Sequence, residues 1–221
     1  PSDVVRLVPH AGLGTMNAFR LLNAELVGQD LGQVKVFTIS DMEAYCALDP
    51  AELVVRLGRE YAQRVIDAGH TKVQLIGYCM GGFIALEIAR SLMEKGIDVV
   101  DLTLIDSTPL THRIEDSIIM EAIFLPNFYI TLGQVYPHID EQAVMDEVMN
   151  WFNECGGQLS AADVRARLDA PITEVSRQLA ELDALGVEQR FADYTAAISA
   201  YTDQQIPAEM LAGYYSIYVH S

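Results

Sequence analysis

Lys72-Val73-Gln74-Leu75-Ile76-Gly77-Tyr78-Cys79-Met80-Gly81-Gly82 is the stretch on which the fold turns. Lys72 to Gly77 read as a buried strand, and a helix follows directly, from about Gly81 to Glu94, with Gly96 as its C-terminal stop. Working outward, Val4-Val5-Arg6-Leu7-Val8 is a short strand and Pro9-His10-Ala11-Gly12-Leu13-Gly14-Thr15 a glycine-bearing loop. Residues 16–28 read as a helix, with Met16, Phe19, Leu22 and Leu26 at helical spacing. Val34 to Ile39 is another strand. Residues 50–68 form a helix with Pro50 in its first turn and Leu53, Leu57, Tyr61 and Val65 on one face. Val99 to Ile105 is a fourth strand, ending at Asp106. Repetition of strand, loop, helix and strand implies a parallel sheet with right-handed crossovers.

The pattern changes after Pro109. Asp140 to Phe152, Ser160 to Leu168, Pro171 to Leu185 and Pro207 to Val219 each carry helix-start signals, and Ser160 with Asp163 resembles a capping box. No second set of sheet strands stands out, and the stretch 123–136 is ambiguous. The expected organisation is an α/β core over 1–110 and a helical lid region over 111–221.

Bulk composition bounds the function. The 221 residues suffice for one domain with a substantial core, and half of them are apolar. Cys46, Cys79 and Cys155 are too few and too scattered for a disulfide framework. There is no CxxC pair or HExxH, so no metal is expected. A net charge of -17 repels phosphate backbones, so nucleic acid is not an expected partner. No apolar run approaches the ~18 to 20 residues that cross a bilayer, and no signal-like stretch opens the chain. A cytoplasmic protein with no membrane partner is the expectation.

The chemistry concentrates at Cys79. Gly-x-Cys-x-Gly alone is equally compatible with a buried core thiol. Between a strand and a helix it matches a nucleophile elbow, in which a sharp turn lifts the reactive side chain off the end of the sheet. Gly77 and Gly81 are the small neighbours such a turn requires. The sulfur then lies at a helix N-terminus, whose dipole favours negative charge. The N–H of Met80 would face an oxyanion, and Ala11, in the loop after the first strand, is the expected second donor. His10 is a candidate base, but reads better as a loop histidine that supports backbone geometry. Asp106, 27 positions after Cys79 at the end of the adjacent strand, can orient a histidine; Asp101 reads as surface. Cys46 and Cys155 read as ordinary thiols. Ile118, Ile119, Ile123, Phe124 and Phe128 are candidate walls of an acyl pocket. Tyr194, Tyr201, Tyr214, Tyr215 and Tyr218 read as lid-packing aromatics.

These segments resemble the thioesterase domains of nonribosomal peptide and polyketide synthetases, members of the α/β-hydrolase superfamily. Val73 to Gly82 is similar to that family's elbow, Ile84 to Arg90 to the helix after it, Leu102-Thr103-Leu104-Ile105-Asp106-Ser107 to the strand carrying its acid, and Pro9 to Gly12 to its oxyanion loop. The resemblance covers residues 4–110 well and the lid loosely. It implies a parallel-sheet core with a large helical lid insertion. It also implies acyl transfer from a carrier protein, an acyl or peptidyl carrier domain of the same multidomain synthetase, of the kind that makes antibiotics or siderophores. Carried over, Cys79 is the nucleophile, Asp106 the orienting acid, and Met80 and Ala11 the oxyanion donors. The domain binds no cofactor of its own; the acyl chain arrives on the carrier's phosphopantetheine.

Two departures from the family stand out. Most members have Ser where this chain has Cys79; a cysteine is a minority choice or an engineered one. The family's histidine follows the acid beyond the lid, whereas His10 and His70 precede Asp106, His112 and His138 follow it too soon, and His220 ends an apparent helix. The expectation is a domain incomplete at its C-terminus, with that histidine beyond Ser221. A cysteine would make a thioester intermediate that keeps its acyl activation, which suits release by a weak or strained nucleophile. Dienelactone hydrolases and polyhydroxyalkanoate synthases also use cysteine elbows, but their acid comes later. A non-catalytic carrier-docking module is the alternative of another class.

Overall fold

The computed structural model describes residues 3–15, 24–25, 34–108 and 113–221. These divide into two compact units: the first holds the chain to Pro109 together with Ser216–Ser221, the second Leu110–Tyr215. Of the helix expected over 16–28, only Ala24 and Glu25 are described, and both are helical. The remainder lies outside the described residues, as does His112.

The first unit is built on four parallel strands in the order β2-β1-β3-β4: β1 Val5–Pro9, β2 Val34–Phe37, β3 Lys72–Tyr78 and β4 Asp98–Ile105. Leu7 of β1 pairs with Leu75 of β3, and Tyr78 at the end of β3 pairs with Ile105 of β4. A bulge places Gln74 opposite Asp101 rather than Val100, so β4 changes face partway along. The short helix α1, Met42–Cys46, was not legible in the sequence; Asp41 starts it by accepting from the Ala44 N–H at 2.9 Å.

Helices α2, Leu53–Asp67, and α3, Met80–Glu94, cover one face of the sheet. The apolar stripe expected on α2 is buried: Leu53, Leu57, Tyr61 and Val65 pack with Ile84, Ile88 and Leu92 of α3 on Val5, Leu7, Val73 and Leu75. A fully buried side chain of this size contributes about 1.5–3 kcal/mol. Val8 and Ile76 point to the other face and pack with Val34 and Tyr78.

The second unit is mainly helical. It contains α4 Ser117–Phe124, a 3-10 turn Leu125–Phe128, α5 Leu132–Val135, α6 Glu141–Glu154, α7 Ala161–Asp169, α8 Glu174–Leu185 and α9 Val187–Tyr201. A last helix, α10 Ala208–His220, begins there, and its final turn belongs to the first unit. Side chains at the helix starts account for much of this order. Asp116 accepts from the N–H groups of Ile118 and Ile119, and Thr131, Ser160 and Thr173 each form a capping box. The expected Ser160–Asp163 box is thus present. One expectation is corrected: β5 Arg113–Ile114 and β6 Gln158–Leu159 form a small parallel pair in this unit. Strands of two residues carry no readable period.

The unit is pinned by a buried charge pair. Glu121 on α4 accepts from Arg190 Nε at 2.7 Å, Arg190 Nη2 at 2.8 Å and the Tyr194 hydroxyl at 2.8 Å. Ile118, Ile119, Phe124 and Phe128 are buried in packing of the second unit, where Phe124 meets Tyr215 ring to edge and Phe128 at a tilt.

Candidate active site

Cys79 sits at the junction of β3 and α3 with φ 51° and ψ -127°, and its side chain is exposed. A residue with a β-carbon held at positive φ costs about 1–3 kcal/mol, and such strain persists only where the surroundings impose it. Three local features impose it here. The Cys79 N–H donates to the Ile105 carbonyl at 2.9 Å, tying the turn to the end of β4. A β-carbon on Gly81 would stand 2.7 Å from the His10 carbonyl oxygen, so only glycine lets α3 begin against the end of β1. A β-carbon on Gly82 would stand 1.9 Å from Ser107 Oγ, so the loop after β4 also closes on the helix start.

These close approaches converge three segments on one corner. Asp106, exposed and itself at φ 49°, follows directly on Ile105, whose carbonyl receives the Cys79 N–H. Ser107 Oγ donates to that same carbonyl at 3.1 Å. Met80 is the first residue of α3, where backbone N–H groups have no partner within the helix.

The loop after β1 is held from several sides. The His10 N–H donates to Phe37 at 2.9 Å, and the Gly14 carbonyl accepts from Ile39 at 3.0 Å, joining the loop to the segment around β2. The Ala11 carbonyl accepts from His10 Nδ1 at 2.8 Å and from the Gly14 N–H at 2.9 Å. Because a carbonyl only accepts, Nδ1 carries the proton. The His10 ring is fully buried between Tyr45 and Tyr61, both 6.1 Å away edge-on, and its Nε2 has no hydrogen-bond partner among the described residues. Burial holds His10 below its ordinary value, against the opposing bond to Ala11. A neutral, buried ring bonded to its own loop fits the supporting role expected of it.

A family model described as Thioesterase domain matches residues 5–122, more than half of the chain. The chain belongs to the thioesterase domain family. Its parallel sheet and many helices are consistent with the α/β-hydrolase fold of such a domain. It is similar to two curated proteins, each named pyochelin synthetase PchF, from Pseudomonas aeruginosa strains UCBPP-PA14 and PAO1. The identity is 39% over 131 residues, 59% of this chain and 7% of the length of each relative. The thioesterase domain thus spans a small part of the proteins it matches.

Within this thioesterase domain the four residues singled out from sequence lie on converging segments: Cys79 and Met80 at the elbow, Asp106 at the neighbouring strand end, and Ala11 on the loop that Gly81 contacts. No hydrogen bond among the described residues joins a histidine to Asp106 or Cys79. His220 stands edge-on to Tyr45 at 5.7 Å, and the His138 carbonyl accepts from Gln178 in the second unit. Asp101 is a surface residue bonded to Gln74 and Thr103. Cys46 is half-buried, which pushes its thiol up; half-buried Cys155 lies 3.8 Å from Arg167 Nη2. A cavity of about 220 Å³ lined by Ile39, Tyr45, Arg56 and Tyr61 lies elsewhere on the first unit, without Cys79 or Asp106 in its wall. Among the described residues no group of three or more His, Cys, Asp or Glu gathers as a ligand set, and no helix is long and apolar enough to cross a membrane.

Sequence reasoning missed Ser107 and Ser221 at this corner and read Tyr218 as a lid-packing aromatic, whereas residues 216–221 belong to the first unit. Ser107 packs on the elbow, and Tyr218 on α10 and Ser221 just after it reach the Gly12 loop. Tyr218 and Ser221 are three apart on a helix, a spacing that shares a face, but nothing local says what that face meets.

Proposed function

We propose that this thioesterase domain accepts an acyl or peptidyl chain from a carrier-protein phosphopantetheine thioester onto Cys79 and releases it by hydrolysis or cyclisation. The Cys79 sulfur attacks the thioester carbonyl. The oxygen takes the negative charge and is met by the N–H groups of Met80 and Ala11. Collapse expels the carrier thiol and leaves a thioester on Cys79, which water or a nucleophile within the chain then opens. Asp106 orients the histidine that moves the protons. The observation that carries this reading is an exposed cysteine at positive φ on a strand-to-helix turn, bonded through its N–H to the last residue of the strand that Asp106 follows.

The histidine is part of the proposal. β4 is one of the two edge strands of the sheet among the described residues, and Val100, Leu104 and Ile105 on it are exposed. An apolar open edge suits one more strand, and a loop after that strand would bring a histidine to Asp106. The carrier would be a neighbouring domain of a multidomain synthetase in the cytoplasm, a reading supported by the similarity to the PchF synthetases. The domain needs no cofactor of its own in this scheme.

A mechanism-based thiol probe tests the proposal. Rapid labelling of Cys79 over Cys46 and Cys155, abolished by Cys79→Ala, is the expected result. Equal, slow labelling of all three thiols would leave a carrier-docking module. Cys79→Ser separates the finer claim: an unchanged ratio of cyclised to hydrolysed product would remove any special role for sulfur in release.

A further inference from the structure

We propose that Ser107 is a positioning residue for the reaction. Its hydroxyl closes the backbone around Asp106 and ties that turn to the carbonyl that also holds the Cys79 N–H, so the acid and the nucleophile share one anchor. The proposal rests on the reading of Cys79 as nucleophile and Asp106 as the orienting acid.

The anchor is the Ile105 carbonyl at the end of β4. It accepts from the Cys79 N–H at 2.9 Å and from Ser107 Oγ at 3.1 Å. A carbonyl oxygen has two lone pairs, so both donors are served at once. Strained backbone gathers at the same point. Three residues other than glycine have positive φ among the described residues, and two of them meet at this carbonyl. Asp106, at 49°, follows it directly, and Cys79, at 51°, donates to it; Tyr129, the third, is in the second unit. Left-handed backbone at a residue with a β-carbon persists only where its surroundings impose it. At Asp106 the bond from Ser107 back to Ile105 spans the residue and closes a short ring around it, the local side-chain-to-backbone pattern that supports a turn.

Ser107 is also held from the helix side. A β-carbon on Gly82 would stand 1.9 Å from Ser107 Oγ and 2.4 Å from its Cβ, so this side chain lies against bare backbone in the first turn of α3. The Gly82 N–H in turn donates to the Cys79 carbonyl at 3.0 Å. Ser107 therefore stands between the helix start that carries Cys79 and Met80 and the strand end that delivers Asp106. An alanine would keep the β-carbon against Gly82, so what the hydroxyl adds is the bond to Ile105. A histidine oriented by Asp106 must come within hydrogen-bond reach of the Cys79 sulfur, so an error in the placement of Asp106 falls on proton transfer rather than on substrate binding.

Steady-state hydrolysis of an acetyl N-acetylcysteamine thioester by the full chain tests this, beside thermal melts of each variant. Ser107→Ala should lower kcat roughly tenfold and leave KM within about twofold. Ser107→Gly, which lacks the same donor, should lower kcat likewise. In an Asp106→Ala background, Ser107→Ala should change kcat by less than about twofold, because a residue that acts through Asp106 has nothing left to position. An unchanged kcat in Ser107→Ala, or an equal loss with and without Asp106, would overturn the role of Ser107 alone. Hydrolysis that persists in Cys79→Ala, or is absent from the parent chain, would overturn the nucleophile reading and this proposal with it.

Discussion

Replacing Glu121 with Gln should unfold the second unit at much lower denaturant. The carboxylate is fully buried and the Arg190 side chain is 4% exposed, with three short bonds between Glu121 and its two partners. Glutamine keeps the shape but loses the charge, and its amide turns a donor toward the guanidinium or the Tyr194 hydroxyl. Removing one partner of a buried pair costs about 3–5 kcal/mol, since the other charge stays in place with no counter-charge. Domains of this size have about 5–15 kcal/mol in all. Trp151, the single tryptophan of the chain, is buried in the same unit, so its fluorescence reports on that unit. With a urea slope of about 1–3 kcal/mol per molar, the midpoint should drop by at least about 1 M. A loss under about 1 kcal/mol would refute the reasoning, because it would mean the pair is effectively solvated. The double variant Glu121→Met with Arg190→Met removes both charges and should recover most of the loss.

Gly82→Ala drives a β-carbon into Ser107 and should displace the Asp106 loop, lowering acyl release on the order of a hundredfold; adding Ser107→Gly should restore part of it, and full activity in the single variant would count against the packing described. His10 is held below its ordinary 6.5, so the unfolded chain takes its proton first. Its stabilising contribution is complete above pH 6.5 and is lost as pH falls through the lower folded value. Thermal melts should therefore weaken below pH 6.5, and His10→Asn should flatten that slope; His70, shifted the same way, accounts for any part that remains. The exposed edge of β4 predicts concentration-dependent self-association, and Val100→Lys should reduce it in light scattering.

The first unit was legible where local pattern and burial coincide. The stripe Leu53, Leu57, Tyr61, Val65 repeats at helical spacing because one face of α2 is buried, and β3 reads as a strand because Val73, Leu75 and Ile76 within it are buried. Gly77 and Gly81 announced a tight turn, since no other residue permits such approaches. In the second unit α4, α5 and α9 were not resolved from the sequence. Their starts depend on Asp116, Thr131 and Gly186, and α4 and the 3-10 turn are apolar nearly all round, which erases the amphipathic period.

By itself the sequence determined the strand-turn-helix that presents Cys79, the strand that delivers Asp106 beside it, and the glycine loop that carries Ala11. Each depends on residues within a few positions of one another, where periodicity and backbone freedom act. Only the tertiary structure decided that Tyr218 and Ser221 meet Gly12, that Ser107 closes on Gly82, and that Glu121 finds Arg190. Those contacts join residues from 25 to 209 positions apart. No local pattern encodes them; they follow from which surfaces remain to be covered once the core has formed.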